Sequence, residues 1–332
     1  MNKAIKNYLR KRLKTTAPHA IAQRFSTPAN SGINKITQAL TEHYFSHTIS
    51  SDPAKITEYL NTTQGKKDLH NQTLGRLQEF RTRIVPWLDS TFGLAGTSIL
   101  EIGSGTGASS VALCEQGAHL TSLDIDEASH QVAATRLGVY GQSNTRVTLD
   151  ASDINTLTDQ QFDCIIFFAC LEHMTIQERL TSLKKAWVLL NTGGYLVVVD
   201  TPNRLAFMDN HTSRLPFYNW LPDELAFLYA SRSQRSPFNT MFKDYTQDNL
   251  LRFIREGRGV SYHEFELSIK PVKQLTIAST LEQHESKRNP LWHHGRRLFR
   301  SKNVQFETFI RSIEPTVPQC FMSPSLNFCL QK

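Results

Sequence analysis

Three glycines at alternate positions and two histidines well apart in the chain are the residues whose type and spacing point most directly to chemistry. Gly103, Gly105 and Gly107 follow the apolar run Ser98-Ile99-Leu100-Glu101-Ile102, so a strand runs into a turn that side chains do not obstruct. Backbone N–H groups in such a turn can approach an anionic or zwitterionic ligand closely, and a helix beginning near Ala108 points its positive end at the same place. The loop, with Ala108 in the third small position, also satisfies the relaxed dinucleotide fingerprint, so by itself it leaves the nucleoside cofactor open. Asp124 follows the next apolar run, Leu120-Thr121-Ser122-Leu123, where a carboxylate accepts hydrogen bonds from ribose hydroxyls under either reading. His173 and His211 carry imidazoles that gain or lose a proton near neutral pH.

Regular elements have to place these residues. Asp163-Cys164-Ile165-Ile166-Phe167-Phe168-Ala169-Cys170 is an apolar run too short for a usual helix, and it predicts a strand buried on both faces. It ends in Leu171-Glu172-His173-Met174. The pattern then predicts a helix from about Gln177 to Leu190, stopped by Asn191-Thr192-Gly193-Gly194, and a second buried strand from Tyr195 to Asp200 that leads into Thr201-Pro202-Asn203-Arg204. Helical periodicity fills Ile33 to about Leu94, with Ile36, Leu40 and Tyr44 in one piece and Leu69, Leu74, Leu77, Phe80, Ile84 and Leu88 in another. After Arg204, the stretch Phe207 to Pro222 has no regular period. Long irregular loops in compact domains are usually functional, and this one leaves the carboxyl edge of the sheet. Asp209, His211 and Arg214 are its candidate substrate contacts, with Tyr218 and Trp220 as candidate apolar walls.

At the glycine loop, Asp124, the Leu171-Glu172-His173 ending and Gly193-Gly194, the chain resembles the class I S-adenosylmethionine-dependent methyltransferases, in particular the small-molecule branch whose fourth strand ends in leucine-glutamate-histidine. The resemblance covers roughly residues 95 to 205. It implies an α/β fold, a Rossmann-like sheet mostly parallel with a terminal antiparallel strand, plus an N-terminal helical extension and a C-terminal insertion. The expected division is a basic segment and helical cap over 1–94, a cofactor-binding core over 95–205, and a substrate-loop region, insertion and terminal strands over 206–332. Strand six is expected from Gly259 to Leu267 and strand seven from Ser325 to Lys332, separated by an insertion from Ile269 to Met322 that is helical from Val304 to Ile313.

The resemblance also implies roles. Glu101 with Gly103, Ser104, Gly105 and Gly107 would hold the methionine part of S-adenosylmethionine, Asp124 the ribose, and Ile125 an adenine face. Asp153 and Ile154 would meet the adenine edge, with Asp150 as a competing alignment, and the backbone at Ala169 would receive the cofactor's amino group. Helices ahead of the first strand would cover the pocket, which makes His70 and Arg81 candidates to line it, while Trp87 is expected in the core. Methyl transfer mainly requires that the acceptor be positioned and water excluded, but a hydroxyl acceptor must also lose its proton. His173, or His211 after strand five, stands where such a base is needed.

Composition bounds the rest. A chain of 332 residues can bury a substantial core as one catalytic domain with additions. Five cysteines, odd in number and without zinc-ligand spacing, suit a reducing compartment, and the expected location is the cytoplasm. No metal is expected. Asp200 and Asn203 echo the ligands of metal-dependent catechol-type enzymes but Ala169-Cys170 does not complete the set, and the doublet His293-His294 alone is poor evidence. No apolar run is long enough to span a bilayer, and no apolar h-region marks a secretory signal. Lys3, Lys6, Arg10, Lys11, Arg12 and Lys14 surround Ile5, Leu9 and Leu13, and no acid occurs before Glu42. Such a basic amphipathic helix stays solvated, rests on an anionic membrane surface, binds nucleic acid or acts as a transit peptide. The net charge of +7 and the basic, aromatic stretch Leu291 to Arg300 agree in sign with a nucleic-acid partner. The leading expectation is methylation of a small or lipid-like metabolite; an oxygen acceptor is one candidate, and the sequence does not choose among oxygen, nitrogen, sulfur and carbon. An RNA methyltransferase and a catalytically silent cofactor-binding scaffold are the alternatives.

Overall fold

The computed structural model describes residues 24–142, 146–147, 154, 157, 160–236, 238–288 and 301–332, so Asp150, Asp153, the basic N-terminal stretch and the His293-His294 segment lie outside it. Seven strands, β1 (Ser98–Ile102), β2 (His119–Leu123), β3 (Arg146–Val147), β4 (Phe162–Phe168), β5 (Leu190–Pro202), β6 (Thr276–Thr280) and β7 (Ser325–Gln331), form one sheet. Their order is β3-β2-β1-β4-β5-β7-β6. The first five in the chain are parallel, and β7 lies antiparallel between β5 and β6. Strand order reverses between β1 and β4, and the crevice outside the carboxyl ends of those two strands is where open parallel sheets bind ligands.

Successive side chains on a strand point to opposite faces, and β4 is apolar on both. Cys164 and Ile166 join the core beneath the N-terminal helices and the helices Ala108–Cys114 and Glu127–Val139. Ile165 and Phe167 join the opposite core, beneath the helices Ile176–Leu189 and Tyr262–Ser268. Trp87 packs in the first core as expected, with its Nε1–H donating to Ser279 Oγ at 2.9 Å.

The N-terminal cap is helical, with π-helical turns at Leu40–Phe45, Asn71–Gly75 and Phe80–Ile84. A buried cation ties it to the glycine loop. Arg136 donates to the carbonyls of Thr106 at 2.8 Å, Thr73 at 2.8 Å and Gln72 at 2.7 Å. The cap therefore sits at a fixed height over the loop.

Three boundaries differ from expectation. Residues Gly259 to Leu267 are not strand six: Val260 makes a single bridge to Asn203, and a helix runs Tyr262–Ser268. Ser261 and Glu264 form a capping box there, and Tyr262 and Phe265, three residues apart, have the spacing of one helix face. The sixth strand is Thr276–Thr280, so the segment ahead of β7 begins at Leu281 rather than Ile269, and its later helix is Ser301–Ile313. Gly193 and Gly194 do not end the preceding helix, which stops at Leu189 and passes directly into β5 through Leu190. Gly193, at φ +80°, instead turns the chain within β5, where the register against β4 shifts. The Lys332 ammonium covers the helix end, donating to the carbonyls of Trp187 at 2.6 Å and Leu190 at 2.7 Å.

Residues 206–257 are a helical insert with its own core, in which Tyr218, Phe227, Phe238, Phe242 and Phe253 pack together. The irregular stretch after Arg204 is the entrance to that insert.

Replacing Arg136 by Met would leave three carbonyls in a buried place without donors. The expected loss of unfolding free energy is about 3 kcal/mol, measured by urea denaturation. A loss below about 1 kcal/mol would show that water or a neighbour replaces the guanidinium.

Candidate active site

The loop after β1 is shaped by close approach. Gly103, at φ +80°, has Cys170 packed so tightly against it that a Cβ would lie 2.6 Å from the Cys170 Cβ, and Gly107, at φ +78°, meets Ala133 in the same way. The loop is thus pressed between the turn after β4 and the helix Glu127–Val139. Gly105 has open space where its side chain would be.

Glu101 does not face that space. Its carboxylate is fully buried and accepts hydrogen bonds from the hydroxyls of Ser109, Ser110 (2.6 Å) and Ser122 (2.7 Å), so it fixes the helix Ala108–Cys114 to β1 and β2. This corrects the ligand-contact role expected for it, and burial pushes its pKa up. Asp124 lies at the cradle as expected. One oxygen accepts from the Gly105 N–H at 2.6 Å and the other from the Asp126 N–H at 2.9 Å. Each oxygen keeps a lone pair for a further donor. Ile125 beside it is 71% exposed, an apolar face open to a ring. Ser104 Oγ is buried with no hydrogen-bond partner among the described residues, a polar group that a zwitterion can satisfy.

The Ala169 N–H donates to the Val199 carbonyl at 3.0 Å, which leaves only its carbonyl for a ligand. Its φ of +41° is in the left-handed region, at a cost of roughly 1–2 kcal/mol for a residue with a Cβ. The Ile154 side chain packs in the second core, so only its backbone could reach a ligand.

On the opposite wall, the turn Leu171–His173 is held from beneath by Arg179. This buried guanidinium donates to the carbonyls of Leu171 (2.7 Å), Glu172 (3.2 Å), Met174 (3.0 Å), Arg258 (2.8 Å) and Gly259 (3.1 Å). His173 Nδ1 lies 2.6 Å from the Arg255 carbonyl, which can only accept, so Nδ1 carries the hydrogen and Nε2 keeps its lone pair. His211 is set the same way. Thr212 gives its hydroxyl hydrogen to the Gly257 carbonyl at 3.0 Å and accepts from His211 Nδ1 at 3.0 Å. The two rings stand 5.9 Å apart between centroids, and both Nε2 atoms face Glu172 Oε1, at 3.9 Å from His173 and 3.8 Å from His211. Glu172 is fully buried with no hydrogen bond of full geometry among the described residues, and burial pushes it up to about 8 against the lowering pull of its own backbone N–H, Arg179 and the Thr201 hydroxyl. Burial also lowers both histidines. Sequence reading placed His173 and His211 at neighbouring strand ends; their meeting over Glu172 depends on the insert.

Other expected contacts take structural roles. Asp209 is buried and accepts from the backbone N–H groups of His211, Thr212 and Ser213, so it shapes the turn that presents His211. Tyr218 is no pocket wall: it lies inside the aromatic core of the insert with Arg258 over its ring. Arg214 is an exposed turn residue at φ +57°. Trp220 does line a cleft of about 570 Å³, with Ile176, Leu180, Leu205, Leu267 and Ile310. His70 is exposed, and Arg81 is locked to Glu115 at 2.5 Å. Asn203 spends its amide on the carbonyls of Phe321 and Ser323, which removes it as a metal ligand. Arg76 is a residue that sequence reading missed. It is exposed on the cap, and its positive charge acts on Tyr44, Asp200 and His211. No motif marks it, because it comes from the cap.

Residues 100–196 match a family model described as a methyltransferase domain. The sheet order, the glycine loop, Asp124 and this match define the class of this part of the chain: residues 100–196 are a methyltransferase domain, of the class I S-adenosylmethionine-dependent type. Among curated proteins it is similar to the ubiquinone biosynthesis O-methyltransferase of Aromatoleum aromaticum, 28% identical over 47% of this chain and 65% of that one. The protein of the same name from Stutzerimonas stutzeri is 30% identical over 39% of this chain and 54% of that one. The chain thus spans between half and two thirds of the length of these relatives. Among solved structures, magnesium protoporphyrin IX methyltransferase from Synechocystis PCC 6803 overlaps 54% of this chain and 80% of that one, at 19% identity and a TM-score of 0.37.

S-adenosylmethionine is the cofactor of the superfamily, and the open glycine, the orphaned Ser104 hydroxyl and the Asp124 lone pairs fit it. Asp124→Ala is expected to weaken S-adenosylmethionine binding about 10- to 100-fold, the loss of hydrogen bonds to a charged acceptor. Isothermal titration reads this, and an unchanged thermal midpoint would separate it from misfolding.

Proposed function

We propose that the chain moves the methyl group of S-adenosylmethionine to a hydroxyl oxygen of a small, lipid-like molecule. The observation that carries this reading is the contact between the two walls. Cys170, two residues before Glu172, packs on Gly103 of the cradle and reaches the Ile102 carbonyl at 3.3 Å, so the methionine loop and the histidine pair share one crevice. When bound, S-adenosylmethionine supplies an electrophilic methyl group, and the chain has to orient an acceptor and relieve it of a proton.

Cofactor contacts in this reading are Asp124 to the ribose, the Gly103–Gly107 loop and Ser104 to the methionine part, and Ile125 to the adenine. On the acceptor side, His173 and His211 each present an unprotonated Nε2 whose direction is fixed by the bond at Nδ1. Either nitrogen suits removal of a hydroxyl proton. An oxygen acceptor is supported by the relatives named O-methyltransferase. A lipid-like acceptor is supported by the same relatives, whose name places them in ubiquinone biosynthesis; the 570 Å³ cleft at Arg204 and Leu205 is lined by neither His173 nor His211 and by no residue of the glycine loop, and it does not bear on the acceptor.

The comparisons give no support to an RNA substrate or a silent scaffold, and the basic stretch that favoured RNA lies outside the described residues. No helix among the described residues is long and apolar enough to cross a membrane. Contact with a membrane surface through the basic N-terminus remains a proposal on charge and amphipathicity alone.

Incubation with methyl-labelled S-adenosylmethionine and a lipid extract is expected to place label in an organic-soluble product that survives mild alkali, as an ether does and an ester does not. Label confined to amines, or none at all, would sink the oxygen-acceptor reading. His173→Ala and His211→Ala should each lower turnover by about 100-fold while the dissociation constant for S-adenosylmethionine stays within about twofold of the parent.

A further inference from the structure

At the end of β4, two imidazole nitrogens and a buried carboxyl group converge. His173 Nε2, His211 Nε2 and the Glu172 carboxylate lie within 4.8 Å of one another. Neither ring can donate toward the others, since their hydrogens sit on Nδ1 and are committed to the Arg255 carbonyl and Thr212 Oγ1. Glu172 is fully buried and makes no hydrogen bond of full geometry among the described residues, with its own backbone N–H and the Thr201 hydroxyl as its nearest donors. A positive centre among them would satisfy all three at once: the imidazoles are 43% and 39% exposed, open to an entering cation, while the carboxyl group is fully buried. A proton shared with Glu172 does not serve, because 3.8 and 3.9 Å are beyond hydrogen-bond distance.

We propose that Glu172, His173 and His211 bind one divalent transition-metal cation of the zinc, manganese or iron(II) class, with its remaining coordination positions open to the crevice. Two imidazoles and one carboxylate are a donor set for such cations rather than for magnesium or calcium. A cation about 2.0–2.2 Å from each ligand requires ligand atoms roughly 3–4 Å apart, and both N···O separations already meet this. The supports expected around ligating histidines are present too, since each Nδ1–H has an acceptor that fixes tautomer and ring direction. Arg179 under the Leu171–His173 turn and Asp209 under the His211 turn hold the backbone of all three ligands. This site is distinct from the Asp200 and Asn203 positions, which the fold commits elsewhere.

Only the use of the cation rests on the methyl-transfer reading. With a cation bound both Nε2 lone pairs are taken, so the base role given to the histidines would pass to water, and a hydroxyl oxygen bound at an open position would lose its proton more readily. The existence of the site rests on geometry alone.

The test takes the full chain, freed of metal with EDTA and desalted. Titration with Co²⁺ followed by visible absorption, and with Zn²⁺ by calorimetry, is expected to show one equivalent bound with a dissociation constant on the order of micromolar or tighter. Glu172→Gln and His211→Ala should each weaken binding by at least about tenfold and lose the cobalt band, while S-adenosylmethionine affinity within about twofold of the parent shows that they fold. Absence of stoichiometric binding in the parent, or equal binding by the variants, would overturn the site. Methyl transfer should fall at least tenfold in EDTA and return with Zn²⁺ or Mn²⁺. Full activity in EDTA would overturn the catalytic use of the cation and leave methyl transfer standing. Failure of the parent to bind S-adenosylmethionine would end the methyltransferase reading and leave the cation titration unaffected.

Discussion

Arg179 is buried beneath the turn after β4, and its guanidinium gathers five backbone carbonyls from two stretches of chain far apart in sequence. The turn cannot satisfy those carbonyls itself, because it leaves a buried strand without entering a full helix. Buried carbonyls without donors each cost on the order of 1–3 kcal/mol, so the guanidinium is what makes the turn affordable. Its position also decides what faces the crevice: with the Leu171 and Glu172 carbonyls pulled down onto Arg179, the side chains of Glu172 and His173 are left on the ligand side. The Arg258 and Gly259 carbonyls bring the end of the insert to the same point. There the Arg258 N–H donates to the Glu172 carbonyl at 2.9 Å, and the Arg258 guanidinium reaches Asp223 and the carbonyls of Tyr218 and Leu221.

The same device recurs at each place where irregular backbone borders the crevice. Arg136 holds the cap to the glycine loop, Arg179 holds the strand-four turn, and Arg258 holds the insert. All three are almost wholly inaccessible, and each bonds mainly to carbonyls rather than to acids. A guanidinium suits this because its donors fan out in a plane and it stays charged when buried; even Arg136, which burial lowers to about 10, is a cation at neutral pH. Part of the positive charge counted in the sequence is therefore internal scaffold. It contributes nothing to a surface that would attract phosphate, which weakens net charge as an argument for nucleic acid.

Periodicity and motif made the donor half legible in the sequence. β1, β2, β4 and most of β5 are short apolar runs that only a buried strand explains, and Gly103, Gly107 and Asp124 lie where the strand-turn-helix grammar places them. The acceptor half was legible only as separate residues. Nothing local says that His211 will meet His173, because the meeting is made by Asp209 capping one turn, Thr212 reaching Gly257, and an aromatic core that carries the insert back to the sheet. Misreading the stretch after Gly259 as a strand has another origin. The strand there was what the resemblance implies, whereas the Ser261-Glu264 capping box and the three-residue spacing of Tyr262 and Phe265, both present in the sequence, mark a helix. Glu101 illustrates the converse, since its motif position was read correctly and its task was not: the serines at 109, 110 and 122 that consume it come from two neighbouring elements.

The two walls of the crevice differ in how far their polar groups are satisfied, and that difference locates the chemistry. On the cradle side Glu101 has three donors and Asp124 two, so apart from the Ser104 hydroxyl the wall is complete before a ligand arrives and pre-organisation keeps the ordering cost of binding small. On the acceptor side Glu172, buried and without a hydrogen bond of full geometry, is held at a cost in desolvation that its rise to about 8 records. A sequence selected for stability alone would remove that cost by placing a donor beside the carboxylate or an apolar side chain in its position. The fold instead spends Arg179, Asp209 and Thr212 on aiming two imidazole lone pairs at it. Deficits of this kind persist where a ligand supplies the missing bond, so the incomplete wall, rather than the complete one, is where the acceptor is bound and activated.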